Sequence, residues 1–104
     1  MVLIQLLLPT KGADGAAYAD ELLTHTRQEL LERFGGLTAY LRSPAAGAWT
    51  SPSGRVDEDA VVMVEVLAPT FDVPWWRQYA GALRERFQQE SLHVRASEIT
   101  VLDS

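Results

Sequence analysis

The chain contains two copies of one pattern, and this duplication constrains its fold more than any other feature. An apolar run that ends in Leu8-Pro9-Thr10 leads into a helical stretch closing on Glu32-Arg33-Phe34. A second apolar run ends in Ala68-Pro69-Thr70 and leads into a helical stretch closing on Glu85-Arg86-Phe87. A strand-like segment follows each Glu-Arg-Phe within a few residues. The sequence therefore predicts two strand–helix–strand units in tandem, which is the split βαβ arrangement.

The spacing of apolar residues assigns an element to most of the chain. Two stretches repeat apolar residues every three or four positions, which is typical of amphipathic helices. Four others show the alternation or the β-branched content of strands. Asp14 and Asp72 are predicted helix N-caps, and a bulge is expected near Ser97-Glu98. The predicted strands are Val2 to Leu8, Leu37 to Arg42, Ala60 to Leu67 and Leu92 to Ala96, and the predicted helices are Ala16 to Phe34 and Val73 to Gln89.

The resulting order is β-α-β-β-α-β within a single domain that covers residues 1–104. With right-handed crossovers, the two units interleave into a four-stranded antiparallel sheet of order 4-1-3-2, with both helices on one face. This is an α+β sandwich. The long connection from Ser43 to Asp59 is either a functional or mobile loop or a hairpin turning around Ser51 to Gly54.

Composition excludes several classes of function. The 104 residues carry a net charge of −5 and contain no basic run, which argues against nucleic-acid binding and against a polybasic membrane anchor. With no cysteine, the chain has no disulfide, thiolate ligand or Cys nucleophile. The run from Val2 to Leu8 lacks the cationic start of a signal peptide, so a cytoplasmic protein is expected.

Strand alternation divides the predicted sheet into two faces. One face packs on the helices, and the other would leave Leu3, Leu7, Met63 and Leu67 facing water together. Such an apolar surface is normally covered, and a second copy of the same sheet would cover it in a symmetric homodimer. The helix face takes Val2, Ile4, Leu6, Leu8, Leu37, Ala39, Leu41, Val62, Val64, Val66, Leu92 and Val94, and the second face takes Leu3, Gln5, Leu7, Thr38, Tyr40, Arg42, Val61, Met63, Glu65, Leu67, His93 and Arg95.

This layout, with its duplicated Pro-Thr and Glu-Arg-Phe segments, resembles the dimeric α+β barrel group of ferredoxin-like proteins. The segment Phe34 to Tyr40, Phe-Gly-Gly-Leu-Thr-x-Tyr, is also similar to one in small bacterial proteins of unknown function. The resemblance implies a cleft between paired sheets, which in such families serves cofactor-free monooxygenases, isomerases and small-ligand binders. Trimeric PII-like signalling proteins share the same order of elements and a long loop after the second strand. That likeness implies a non-catalytic regulatory or assembly module as the alternative. A third possibility is a plain interaction domain whose apolar second face binds a different protein.

The polar residues of the second face form the candidate site. Gln5 and Glu65 are predicted neighbours on the two central strands. A carboxylate, an imidazole and two guanidinium groups on one surface could bind an anionic or aromatic ligand and move a proton. The competing interpretation is that Glu65 pairs with an arginine of its own or of the partner subunit and fixes the dimer. The assigned roles are Glu65 or His93 as base, and Gln5, Tyr40, Arg42, Arg95 and Trp49 as ligand-binding residues.

The remaining aromatic and histidine residues have simpler interpretations. Trp76 is predicted to be in the core, whereas Trp75 and Tyr79 either pack or form an exposed anchor. The Trp49 side chain is predicted either to cover the cleft as a lid or to pack its loop against the domain. His25 has no second histidine at ligand spacing. No metal site, cofactor or phosphate-binding loop is therefore expected.

Overall fold

Five strands and two helices make up the structure, a computed structural model that describes residues 1–10, 20–40, 45–50 and 56–103. For residue 20 and for residues 45–50 and 56–60 the description covers the backbone alone. The elements are β1 (Val2–Pro9), α1 (Asp20–Phe34), β2 (Thr38–Ala39), β3 (Ala45–Thr50), β4 (Val56–Ala68), α2 (Val73–Arg86) and β5 (His93–Glu98).

The sheet confirms the predicted topology. Its strands are ordered β2-β4-β1-β5, and every pairing is antiparallel. Without the additional strand β3, this is the order 4-1-3-2 read in reverse. The two long strands β1 and β4 lie side by side at the centre, as the duplicated pattern requires.

The predicted loop from Ser43 to Asp59 contains a β-hairpin. Strand β3 pairs with the first half of β4, in a register that runs from Thr50 opposite Val56 to Ala45 opposite Val61. The tip of this hairpin, residues 51–55, lies outside the described residues. Because β4 continues from the hairpin into the central sheet, it has 13 residues and begins four positions before the predicted strand.

Three predicted features differ from the structure. The predicted strand from Leu37 to Arg42 is only Thr38–Ala39 within the described residues, and residues 41–42 lie outside them. The other two are a bulge and a helix end. Strand β5 pairs with β1 in unbroken register as far as Glu98, so there is no bulge near Ser97-Glu98. The apolar residues beyond Glu98, which alternate in a shifted phase, belong to a tail that leaves the sheet at Ile99. The Ile99 N–H donates a hydrogen bond to the Met1 carbonyl oxygen. Helix α2 ends at Arg86 rather than Gln89, because Gln88 adopts a left-handed φ of 51° that cannot continue a helix. The N-cap predicted at Asp72 is confirmed, since its Oδ1 accepts the Trp75 N–H at 3.2 Å, whereas Asp14 lies outside the described residues.

The hydrophobic core lies between the helices and the predicted helix face of the sheet. The alternation of β1 and β4 is confirmed, since their helix-facing side chains are at most 5% exposed. Leu37, Ala39, Leu92 and Val94 pack against the core as partly buried residues, and Leu41 lies outside the described part. The core consists of Val2, Ile4, Leu6, Leu8, Leu30, Val62, Val64, Val66, Ala68, Trp76, Leu83 and Phe87.

The second face of the sheet is only partly covered within one chain. Leu3, Leu7 and Met63 are half-buried there, and Leu67 is 43% exposed, although Val61 is buried. Exposed apolar surfaces of this kind usually contact a protein partner or a ligand. Neither of the described helices is long and apolar enough to cross a membrane.

Candidate functional site

Gln5 and Glu65 meet at the centre of the second face. They lie directly opposite each other on β1 and β4, and the Gln5 Nε2 donates to Glu65 Oε2 at 2.6 Å. The same nitrogen approaches the Met63 sulfur at 3.4 Å. Because both residues are half-buried, this bond is partly shielded from water. The predicted contact between the two central strands is therefore present.

Further hydrogen bonds connect the Gln5–Glu65 pair to the strands on either side. The hydroxyl of Tyr40, which directly follows β2, donates to Glu65 Oε1 at 2.7 Å. On the other side, the Arg95 Nε on β5 donates to Gln5 Oε1 at 2.8 Å. We call these four residues, Tyr40, Glu65, Gln5 and Arg95, the polar row. The row is continuous from one edge of the four-stranded sheet to the other.

The alternation of side chains along each strand and the register between the strands determine where the polar row lies. Gln5, Glu65 and Arg95 occupy second-face positions of their strands, and Tyr40 continues the alternation of β2 one residue beyond its end. Antiparallel register sets Gln5 opposite both Glu65 and Arg95. Tyr40 reaches Glu65 diagonally, because Thr38 is the residue directly opposite it. Directly opposed and diagonal side chains on one face are close enough to bond. A shift of one residue in any strand would remove its side chain from this surface.

Among the described residues, the carboxylate in the row forms no ion pair. Both oxygens of Glu65 accept hydrogen bonds from neutral groups, and no cationic nitrogen of the described residues lies within salt-bridge distance of them. Arg95 bonds the amide of Gln5 instead of the carboxylate. The hydrogen bond that the Tyr40 hydroxyl donates to Glu65, together with the negative charge of that carboxylate, raises the pKa of the phenol.

The pKa of Tyr40 is expected to fall towards its ordinary value of 10.0 in the Glu65→Gln variant. The amide removes the charge that disfavours the phenolate while preserving the shape of the side chain. Ultraviolet titration near 295 nm measures this shift, and the Tyr40→Phe spectrum identifies the signal. An unchanged pKa would show that the bond between Tyr40 and Glu65 does not form in solution.

A cleft of about 450 Å³ opens beside Glu65. It forms because β2 pairs with β4 over only two positions and the preceding residues, Gly35 to Leu37, diverge from the sheet. Its size falls in the range of pockets for small molecules. The wall is mainly apolar, and Thr38 and Glu65 supply polar side chains. The lining residues are Leu3, Phe34, Gly35, Gly36, Leu37, Thr38, Glu65, Val66 and Leu67.

The other predicted site residues have different outcomes. His93 lies exposed on the second face opposite Leu7, and it takes no part in the hydrogen bonds of the row. Arg42 lies outside the described residues. Trp49 is in β3, and its side chain also lies outside the described part. The cleft wall at Phe34 to Leu37 was not predicted, although the paired glycines after the helix signalled a break in the chain direction.

A second polar cluster, also not predicted, lies between the helices. Arg86 Nη1 donates to Glu29 Oε1 at 2.6 Å and to the buried Thr26 hydroxyl at 2.9 Å, and the Tyr79 hydroxyl donates to Glu29 at 3.1 Å. The Arg86 bond holds the pKa of Glu29 below its ordinary value, and burial with the Glu29 charge raises the pKa of Tyr79. His25 Nε2 lies 3.9 Å from Glu29. This cluster lies on the helix side of the sheet, and the polar row lies on the opposite face.

Trp75 and Tyr79 pack rather than form an exposed anchor. Their rings stack with centroids 4.9 Å apart, and the Arg33 guanidinium lies over Trp75 at 4.4 Å. Trp76 is 2% exposed, as predicted for a core residue, and stacks on Phe34. Within the described residues, no group of three or more His, Cys, Asp or Glu could hold a metal ion.

Comparison with solved structures places the fold among small α+β proteins. The chain is similar to a phage SAM lyase in complex with S-methyl-5′-thioadenosine, with a TM-score of 0.62 and 19% identity over 93% of this chain and 80% of that one. It is also similar to a CutA1 mutant from Pyrococcus horikoshii OT3, with a TM-score of 0.58 and 10% identity over 99% and 87%. No protein-family model and no curated sequence matches this chain. At these identities the likeness extends to the fold alone.

Proposed function

We propose that this protein binds a small molecule at the polar row and the adjoining cleft. The observation that carries the proposal is Glu65, a half-buried carboxylate that joins the row and also lines the 450 Å³ cleft. Apolar walls with a few oriented polar groups are the usual composition of ligand pockets. Tyr40 and Gln5 hold both oxygens of Glu65 in place before a ligand arrives, which lowers the cost of ordering the site.

The chemistry of the row supports two roles for Glu65. Its carboxylate can accept a proton from a bound substrate, as a general base does. It can also stabilise a positive charge on the ligand, because no cation of the described residues neutralises it. The hydroxyl oxygen of Tyr40, whose proton is donated to Glu65, would accept a hydrogen bond from the ligand. Arg95 would attract an anionic group on the ligand, and His93 is the alternative base. Cofactor-free monooxygenase-like or isomerase-like chemistry at an aromatic compound fits the first role.

A sulfonium nucleoside fits the second role. The similar phage structure is a SAM lyase bound to S-methyl-5′-thioadenosine, which gives this ligand class a specific reason for testing. A sulfonium cation beside Glu65 would gain electrostatic stabilisation, and the Tyr40 ring could add a cation–π contact. The non-catalytic alternative, a regulatory or assembly module, uses the same pocket without turnover.

The second face also supports self-association. Its half-buried Leu3, Leu7 and Met63 would be fully covered if the same face of another copy packed on them, with sheets about 10 Å apart. In such a homodimer the polar row of each copy faces the other. The site then lies between the two subunits, in a cytoplasmic protein.

Calorimetric titration with three probes tests the proposal: S-adenosylmethionine, S-methyl-5′-thioadenosine and 4-hydroxybenzoate. We expect at least one to bind the wild-type protein. S-adenosylmethionine, whose sulfonium is cationic, should bind Glu65→Gln at least tenfold more weakly because the variant loses the carboxylate charge. The neutral and anionic probes should also lose affinity, because their hydroxyl groups donate more weakly to an amide oxygen than to a carboxylate. Glu85→Gln, an equal charge change on the exposed side of α2, is the matched control and should bind like the wild type.

Binding that survives Glu65→Gln unchanged, or the failure of all three probes, would contradict this location and ligand range. Chromatography of the same mixtures after incubation separates the two classes of function. Turnover that is lost in Glu65→Gln indicates an enzyme, and stable binding without product indicates a regulatory or carrier protein.

A further inference from the structure

The outer edge of β4 has an open main-chain position inside the cleft. Strand residues direct their N–H and C=O alternately to the two sides, and Met63 and Glu65 direct theirs towards β2. Leu67 is next in this series. The residue that would face it is Gly36, which has left the sheet. In the part of the chain that the structure describes, no group bonds the N–H or C=O of Leu67.

The C-terminal tail is a segment of strand-forming residues that belongs to no strand. After Ile99 bonds Met1 O, residues 100–103 belong to no helix or strand. The sequence Ile99-Thr100-Val101-Leu102 is nevertheless rich in strand-forming residues. Leu102 is 93% exposed and Val101 is 40% exposed. A leucine this exposed at the end of a β-forming segment lacks the packing that such a segment normally has.

We propose that the tail of a second copy of this chain binds in the cleft. Its main chain bonds the N–H and C=O of Leu67, and its Leu102 enters the apolar wall formed by Leu3, Phe34 and Leu37. This is strand addition at an open sheet edge, in which main-chain bonds supply affinity and the side-chain pocket supplies selectivity. The exchange is reciprocal, so it closes as a dimer.

Sheet geometry favours the tail of a partner over the chain's own tail. The tail leaves from β5, and the cleft lies at the β2 edge, three strand spacings or about 14 Å away across the sheet. Both lie at the same end of the strands, since Val2 is opposite both Glu98 and Ala68. Leu102 is three residues beyond Ile99, and three extended residues span at most about 11 Å, so the chain's own Leu102 does not reach across this distance.

Face-to-face pairing brings the partner's tail much closer. A two-fold axis parallel to the strands stacks the β5 edge of one copy over the β2 edge of the other and keeps the strand ends together. The gap is then the sheet separation of about 10 Å, which three extended residues span. Residues 99–101 can therefore cross the gap and deliver Leu102 to the cleft. The tail becomes a wall of the pocket that contains Glu65, so the pocket is complete only in the dimer.

Cross-linking between isotopically distinct copies tests this directly, since the natural chain has no cysteine. A ¹⁵N-labelled Thr38→Cys protein is mixed with unlabelled Leu102→Cys protein, oxidised and digested for mass spectrometry. We expect a disulfide that joins a labelled and an unlabelled peptide. The control is Gln28→Cys in place of Thr38→Cys, because Gln28 is exposed on α1. The Thr38→Cys link should form at least tenfold faster.

Sedimentation provides the second measurement. The dimer dissociation constant of Leu102→Asp is expected to rise at least tenfold, whereas that of Asp103→Asn should stay within twofold of the wild type. A protein that is monomeric at every concentration, a link no faster than that of the control, or an unaffected Leu102→Asp dimer would each overturn the proposal. No ligand takes part in these measurements, so their outcome is independent of whether any probe binds at Glu65.

Discussion

Leu6→Ala is expected to lower the free energy of unfolding by about 3 kcal/mol, because it leaves a cavity in the centre of the core. Leu6 is fully buried on the helix face of β1, between Val64 of β4 and Val94 of β5. The helices cover it from above, so its neighbours cannot move in without disturbing either layer. Urea denaturation followed by circular dichroism measures the loss as a lower midpoint with an unchanged slope.

Leu67→Ala is the matched control on the opposite face. The same atoms are removed from a side chain that is 43% exposed, so we expect a cost below about 1 kcal/mol in dilute, monomeric protein. At concentrations where copies associate, the cost should increase because the second face is then covered. Equal losses for the two variants in dilute protein would mean that the sheet does not have one buried and one open face.

The two faces and the polar row could be predicted from the sequence because both depend on short-range periodicity. Alternation of side chains is a property of any strand, so the positions of Leu6 and Gln5 on opposite faces follow from the sequence alone. The placement of Gln5, Glu65 and Arg95 on one face of neighbouring strands follows from alternation and the predicted strand order. Their direct opposition depends on the register of the antiparallel strands, which the duplication does not specify, since the equivalent residues Leu7 and Leu67 do not pair.

The cleft and the hairpin were harder to predict because they depend on where strands stop pairing. Strand β2 has only two residues, and its length depends on the direction that the backbone takes at Gly35 and Gly36. Composition does not specify that direction. Most residues of the hairpin strand Ala45 to Thr50 are small and have a low strand propensity. The segment is a strand because it pairs with β4, and this pairing is a tertiary interaction. The sequence therefore left a loop and a hairpin open as alternatives.

The interhelical cluster shows a further limit of sequence reasoning. Glu29 and Arg86 are 57 residues apart, and each resembles an ordinary charged residue of an amphipathic helix. Only the rotation of both helices on the sheet brings the two side chains together over the buried Thr26. The Arg86 side chain is 18% exposed and the Glu29 side chain is 36% exposed, so the charges of this pair are partly removed from water. It should therefore affect stability more than a surface ion pair does.

Arg86→Met is expected to cost about 2 kcal/mol at pH 7, because it leaves the Glu29 carboxylate partly buried without its cation. Adding Glu29→Gln should recover part of this loss, since an amide is cheaper to bury than an unpaired charge. Arg84→Met, on the exposed side of the same helix turn, is the control and should cost less than about 0.5 kcal/mol. Chemical denaturation of the four proteins provides the comparison.

The pH dependence of the same variants identifies the cause. Because Arg86 lowers the pKa of Glu29 below its ordinary value of 4.5, this carboxylate stabilises the fold above that value. The stabilisation is lost as the pH falls through the lower pKa of the folded state, where Glu29 gains a proton. The difference in unfolding free energy between wild type and Arg86→Met should therefore shrink below about pH 4. A difference that stays constant down to pH 3 would mean that Arg86 stabilises the fold through the packing of its aliphatic stem rather than through Glu29.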